Sequence, residues 1–237
     1  MSNHVKHVAI IMDGNGRHGT KKFSDRVSGH SEGAKTAKNI ILHAKKCGIP
    51  FLSLWAFSKS NWKREKREID GIFNLINKFS AEKKFFNANN IRVVFLGFTD
   101  DRRIPLWVRK GLWDTERLTK SNTGITVAIQ LNYDGKSDTV QAIQTIAQRV
   151  QDGDLDVKDI TDDLIKKNTM YGLKGIPDPD VVIRTGGRLR MSSYAMLNIA
   201  ESEILFYQEL WPDFTPKLFD IALKHFESTP RTLGGTK

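Results

Sequence analysis

The sequence predicts an α/β fold, a single domain with a mostly parallel central sheet wrapped by helices, and three observations lead there. Short apolar runs, most of them rich in β-branched residues, alternate along the chain with longer stretches of helical spacing. With 39% apolar and 27% charged residues, the 237-residue chain can close a sizeable core. No Pro/Ser/Gly-rich linker, tandem repeat or low-complexity block interrupts it, so residues 1–237 read as one domain.

Residues 8–12, Val-Ala-Ile-Ile-Met, open the strand series, and a run with no polar residue suits a strand buried on both faces. Runs at 51–57, 91–96, 125–131 and 181–183 repeat the pattern. Between them, 34–47 has helical spacing and stops before Gly48 and Pro50. Residues 69–86 carry Ile69, Ile72, Phe73, Ile76 and Phe79 on one helical stripe, and 105–118 starts at a proline. Helix candidates at 138–150 and 216–226 complete the set. Strands alternating with helices pair in parallel, and such sheets bind ligands at the carboxyl ends of their strands.

The chain carries 37 Lys+Arg against 27 Asp+Glu, a net charge of +10. That excess suits nucleic acid, an anionic membrane face or a polyanionic small substrate. No aromatic-basic recognition module accompanies it, so nucleic acid is not expected. No apolar stretch approaches the roughly 18 residues of a spanning helix, and no secretory signal pattern is visible. The single cysteine, Cys47, permits no intramolecular disulfide, and a cytoplasmic location is expected.

Asp13-Gly14-Asn15-Gly16-Arg17 comes directly after the first candidate strand. Two glycines can turn the chain and aim N–H groups at an anion, and Arg17 adds a planar cation. A carboxylate beside the same phosphates, Asp13, makes sense with Mg²⁺ between them. An ordinary Gly-Asn-Gly turn accounts for the same residues, which form neither a Walker loop nor a dinucleotide fingerprint. After the strand at 181–183, Arg184, Arg190 and Ser192 can grip a second diphosphate through guanidinium forks and a hydroxyl, though a solvated basic loop has the same composition. His30, the Ser58, Asn61 and Arg64 group, and Glu203 ahead of an apolar run are individually weaker signals. No His/Cys cluster has zinc spacing, and no Ser-His-Asp triad stands out.

Together, His7-Val8-Ala9-Ile10-Ile11-Met12-Asp13-Gly14-Asn15-Gly16-Arg17, Ala56-Phe57-Ser58, Asn61-Trp62, Arg184-Thr185-Gly186-Gly187 and Leu210-Trp211-Pro212-Asp213-Phe214 resemble the cis-prenyltransferase family, in its order and over nearly the whole chain. The resemblance implies Mg²⁺-dependent condensation of isopentenyl diphosphate with an allylic diphosphate, expected to be farnesyl diphosphate. The product implied is a Z-polyprenyl diphosphate of undecaprenyl type. It further implies a hydrophobic tunnel between sheet and helices, a homodimer, and a peripheral membrane contact for release of a long product. By the same resemblance, Asp13 and Glu203 are the metal carboxylates, and Asp13, Asn61 and Ser58 the catalytic group. Gly14, Asn15, Gly16, Arg17, His18, Arg26 and His30 would serve the allylic diphosphate. Arg184, Arg190 and Ser192 would hold isopentenyl diphosphate, with Arg64 near the proton-loss step. Ala56, Ile69, Ile72, Phe73 and Ile76 would line the tunnel.

Four departures bear on the product. His18 stands where the family usually has tryptophan, and Arg188 where it usually has a carboxylate. Ser193 replaces a usual asparagine, and near the end Thr232-Leu233-Gly234 displaces the expected Arg-x-Gly. Arg190-Met191-Ser192-Ser193 also resembles members that join two dimethylallyl diphosphates into lavandulyl-type products. A non-catalytic subunit of a heteromeric prenyltransferase is a further alternative. Such subunits generally lose the aspartate and the Asn-Trp pair that stand here as Asp13, Asn61 and Trp62.

Overall fold

The computed structural model describes residues 4–230. β1 (His7–Ile11) is buried at all five positions, as a mid-sheet strand covered on both faces must be. It is joined by β2 (Phe51–Ser58), β3 (Arg92–Leu96), β4 (Thr126–Tyr133), β5 (Val181–Arg184) and β6 (Glu203–Phe206) in the order β3-β4-β2-β1-β5-β6. Every pairing is parallel. The first five strands lie where the apolar runs predict them. β6 escapes that reading because it is four residues long, sits at the sheet edge, and alternates half-buried with exposed positions.

α1 (Asn15–Phe23) and α2 (Arg26–Lys46) follow β1, and α3 (Lys66–Ser80) and α4 (Lys83–Ala88) follow β2. α5 (Leu106–Thr119) follows β3. α6 (Gly135–Gln151), α7 (Asp162–Asn168) and α8 (Met170–Leu173) lie between β4 and β5, and α9 (Pro216–Ser228) follows β6. Alternate strand residues feed two cores. Val8, Ile10, Val181 and Ile183 pack with Ile40 of α2, Phe73 of α3 and Phe219 of α9. Ala9, Ile11 and Val182 pack on the other face with Tyr171 and Tyr194.

Two of the expected helices differ from their expected bounds in ways the local contacts describe. α2 starts at Arg26 rather than 34, because Asp25 caps it by accepting the Ser28 N–H at 2.9 Å. Gly29 lies inside this helix, where a Cβ would come within 2.0 Å of the Asn15 carbonyl. Its smallness lets α1 cross α2 closely. The stripe at 69–86 divides into α3 and α4 at Ala81 and Glu82, where the Ser80 carbonyl ending α3 lies 2.7 Å from the Thr115 hydroxyl of α5.

His7 gives the fold a pH dependence. Its ring is fully buried, with Nδ1 against the Pro177 carbonyl at 2.7 Å and Nε2 against Ser53 Oγ at 2.8 Å. Burial lowers its pKa from 6.5 to about 4. The unfolded chain therefore takes up this proton first as pH falls, and stability drops between those two values by about 3 kcal/mol. Urea unfolding across that window should register the loss, with a flatter profile for His7→Asn. Equal slopes in the two proteins would refute the assignment.

Candidate active site

β1 and β5 are neighbours, with Ile11 level with Arg184, so the chain leaving β1 brings Asp13 beside the guanidinium that ends β5. Asp13 Oδ2 accepts from Arg184 Nη2 at 2.8 Å and Oδ1 from Arg17 Nη2 at 3.1 Å. The Thr185 hydroxyl and the Trp211 N–H both donate to the Asp13 carbonyl, at 2.8 and 3.0 Å, and fix the loop. Gly14, at φ 113°, turns the chain into α1. The segment that reads as a turn is thus the start of a helix. The N–H groups of Asn15, Gly16 and Arg17 have no partner within α1, and no side chain caps them. They form a natural anion site. Arg26 lies over this first turn, where a Cβ on Gly16 would come 2.5 Å from its guanidinium carbon.

Arg184 is nearly buried, at 4% exposure. Its Nη1 donates to Ser192 Oγ at 2.9 Å and to the Arg190 carbonyl. That orientation aims the guanidinium at Asp13 and leaves the Ser192 proton for another acceptor. Arg190 and Ser192 border the same cavity as Asp13. Arg188 is exposed and does not line it, so the charge it adds stays outside.

Glu68 of α3 is the site residue that the sequence reading misses. It is buried, and accepts from Arg26 Nε at 2.8 Å, from Arg64 Nη1 at 3.1 Å and pairs with His30 Nε2 at 3.0 Å. Burial alone would raise its carboxyl, but the hydrogen bonds from Arg26 and His30 and the Arg64 charge outweigh that and hold it below its ordinary value. Burial pushes His30 down, with Arg64 and Arg26 adding to the effect against the pull of Glu68. The signal in the sequence is the Arg64 to Glu68 spacing of four, which is easily taken for a surface ion pair.

A polar cavity of about 260 Å³ gathers Asp13, the Gly14-Asn15-Gly16-Arg17 turn, Arg26 and His30. From the other side come Ser58, Asn61, Arg64, Arg184, Arg190 and Ser192. Asn61 Oδ1 accepts the Ser58 N–H at 3.0 Å, so the amide offers a substrate its NH₂ donors and no base. A second cavity of about 100 Å³ is apolar and borders Ala56, Ile72, Leu75, Ile76 and Phe79. Met12, Asn15, His30 and Ala56 touch both.

Four expected residues stand elsewhere. His18, on α1, is turned away from the polar cavity, and its Nδ1 pairs with Asp213 Oδ2 at 3.1 Å. Phe73 packs on Phe57 and Trp62, at ring distances of 5.3 and 5.4 Å, and lines neither cavity. Ile69, a helical turn earlier, is likewise buried in the core rather than beside the apolar cavity. Glu203 starts β6 level with Val181, at the end of β5 away from Arg184, and so does not meet Asp13 within its own chain. The Thr232 departure lies outside the described residues.

Two sets of anion-gripping groups meeting at one carboxylate, beside an apolar cavity, describe an enzyme that handles diphosphates carrying hydrocarbon. Residues 11–234 match the family model described as "Putative undecaprenyl diphosphate synthase", and the chain belongs to that prenyltransferase family. It is 38% identical to dehydrodolichyl diphosphate synthase 2 of Arabidopsis thaliana over 98% of this chain and 74% of that protein. It is 35% identical to the farnesyl-diphosphate-specific ditrans,polycis-undecaprenyl-diphosphate synthase of Micrococcus luteus, over 97% of this chain and 91% of that protein. Among solved structures, lavandulyl diphosphate synthase of Lavandula x intermedia, in complex with dimethylallyl diphosphate, superposes with a TM-score of 0.93 at 28% identity, covering 97% of this chain and 98% of that one. The protein is therefore an enzyme of prenyl transfer.

Proposed function

We propose that the enzyme condenses isopentenyl diphosphate with an allylic diphosphate, farnesyl diphosphate in the first instance, to give a Z-polyprenyl diphosphate of undecaprenyl type. The observation that carries this reading is the polar cavity with two anion grips, set beside an apolar cavity with which it shares Met12, Asn15, His30 and Ala56 as lining. The first turn of α1, Arg17 and Arg26 hold the allylic diphosphate, and Arg184, Arg190 and Ser192 hold that of isopentenyl diphosphate. The allylic C1–O bond breaks with its electron pair passing to diphosphate, the isopentenyl C4 bonds to that carbon, and the proton at C2 leaves to a diphosphate oxygen. Arginines and oriented N–H groups stabilise the charge that develops on the departing group.

Asp13 is the carboxylate facing both grips, with its oxygens on Arg184 and Arg17, whereas Glu68 is held by Arg26, Arg64 and His30 and does not line the polar cavity. Mg²⁺ commonly takes one or two protein carboxylates and otherwise keeps water and phosphate oxygens, so this donor set fits it. When bound, it supplies Lewis-acid neutralisation of the departing diphosphate. Asn61 positions the isopentenyl unit through its amide donors. Asn61→Ala should lower turnover about a hundredfold while sparing allylic diphosphate binding; unchanged steady-state turnover would remove this role.

A homodimer belongs to the same reading. The edge strand β6 exposes Ile204 and Phe206 beside Glu203, an apolar surface that a second copy would cover, bringing Glu203 to a neighbour's site. Among the described residues no helix is long and apolar enough to cross a membrane, and release of a long product calls for a peripheral contact only. A second reading, coupling of two dimethylallyl diphosphates, draws support from the lavandulyl synthase likeness and from the small apolar cavity of about 100 Å³. Incubation with labelled isopentenyl diphosphate, Mg²⁺ and farnesyl diphosphate should give label in an organic-extractable product, abolished by chelation. No incorporation with farnesyl, geranyl or dimethylallyl primers would count against catalysis and favour a non-catalytic subunit.

A further inference from the structure

The far end of α2 carries a cluster unrelated to diphosphate chemistry. His43 and Cys47 share one face of α2 at a spacing of four, and the Cys47 N–H still bonds the His43 carbonyl at 2.9 Å, so helical geometry holds through both. Asp220 of α9 closes the group. Nε2 of His43 lies 2.6 Å from Asp220 Oδ1, Cys47 Sγ lies 3.6 Å from that nitrogen, and Sγ is 3.8 Å from that oxygen. All three side chains are half-buried, which leaves a path for an ion and for a water as fourth ligand. The sequence reading finds no zinc pattern here because the third ligand is 173 positions from the cysteine.

The geometry points to a binding site for a borderline-soft divalent cation, Zn²⁺ in chemical class, built from His43, Cys47 and Asp220. In a tetrahedral zinc site, bond lengths of about 2.0 to 2.3 Å set the edges from sulfur to nitrogen or oxygen at about 3.6 Å and the nitrogen–oxygen edge at about 3.4 Å. Both sulfur edges are already at that spacing, and the His43–Asp220 contact needs to open by about 0.8 Å once a cation replaces the shared proton. On binding, the Cys47 S–H proton goes to solvent, the Nε2 proton shifts to Nδ1, and His43 coordinates as the neutral ring through Nε2. A thiolate with an imidazole selects Zn²⁺ or Co²⁺ over Mg²⁺, which prefers oxygen alone. His43 is thirteen residues beyond His30, about 20 Å along α2, so the site is separate from the polar cavity. Its ligands come from two helices, and an ion there pins α9 to α2. A redox role fits less well, because burial and the Asp220 carboxylate raise the Cys47 thiol above its ordinary value and it is not an activated nucleophile.

Titration of the full chain with Co²⁺ under reducing, metal-free conditions tests this. One Co²⁺ per chain should generate a sulfur-to-cobalt charge-transfer band with the visible bands of four-coordination, and Zn²⁺ should displace it. Cys47→Ser should lose the band, and Asp220→Asn, which leaves the thiol in place, should bind at least about tenfold more weakly. Asp13→Asn should keep the band, separating this site from the catalytic cavity. Absence of the band at saturating Co²⁺, or its persistence in Cys47→Ser, would overturn the assignment. Should Cys47→Ser not fold by circular dichroism, unchanged affinity in Asp220→Asn would overturn it equally.

Discussion

Asp13→Asn should lower the rate of condensation by about a thousandfold, the equivalent of about 4 kcal/mol of transition-state stabilisation. The substitution keeps the volume and removes the charge. Asp13 binds no substrate directly in this scheme, so the loss falls on turnover rather than on affinity. Removing a negative charge from a cavity that holds Arg17, Arg26, Arg64, Arg184 and Arg190 should leave metal-free diphosphate bound as tightly as before, or more so. Arg184 retains Ser192 and the Arg190 carbonyl as partners, so the proposed grip on isopentenyl diphosphate should survive. Steady-state kinetics alongside direct binding of inorganic pyrophosphate give the check. A loss of pyrophosphate affinity proportional to the loss of rate would mean that Asp13 only holds the arginines in place.

Ala56→Phe should cut the product to one or two added five-carbon units and lower total incorporation by about tenfold. Ala56 borders both cavities, so a ring there fills the boundary between the polar cavity and the apolar space. The anion grips are untouched, so the first bond should still form. An overpacked site costs roughly 1–3 kcal/mol of stability, so Ala56→Val serves as a milder partner and should shorten the product by less. Chromatography of dephosphorylated products gives the lengths. An unchanged ladder in Ala56→Phe would mean that the chain does not grow past this boundary.

The apolar space as it stands, about 100 Å³, is smaller than the roughly 150 Å³ cavity that holds one benzene ring. A polyprenyl chain therefore needs more room than this, and α3 forms one wall of the space through Ile72, Leu75, Ile76 and Phe79. Regular elongation requires this space to enlarge as the chain grows. A short coupled product requires much less.

Most of the sheet is legible in the sequence, because strands covered on both faces carry nearly unbroken apolar runs, as β1, β4 and β5 do. β6 lacks that signature since one of its faces meets solvent. The Gly14-Asn15-Gly16 segment reads as a turn by composition, yet it enters a helix, with Gly29 packed against the Asn15 carbonyl and Arg26 over Gly16. These are contacts made by residues that local pattern cannot pair. The same limit hides Glu68, whose role depends on His30 and Arg26 of another helix. Periodicity places Ile69 and Phe73 on the same stripe as Ile72 and Ile76, but it cannot tell which part of the stripe faces the sheet and which the cavity. The arginines of the polar cavity are more visible because most of them follow strand ends, where an α/β sheet gathers its ligand groups.

Repeated head-to-tail addition by the two proposed grips and the adjoining apolar space is checked by product analysis with unlabelled farnesyl diphosphate and labelled isopentenyl diphosphate. A parallel reaction contains dimethylallyl diphosphate alone. The expected result is a ladder of long Z-polyprenyl diphosphates from farnesyl diphosphate and no product from the second reaction. A branched ten-carbon diphosphate from dimethylallyl diphosphate alone, without elongation of farnesyl diphosphate, would contradict it and assign the enzyme to irregular coupling.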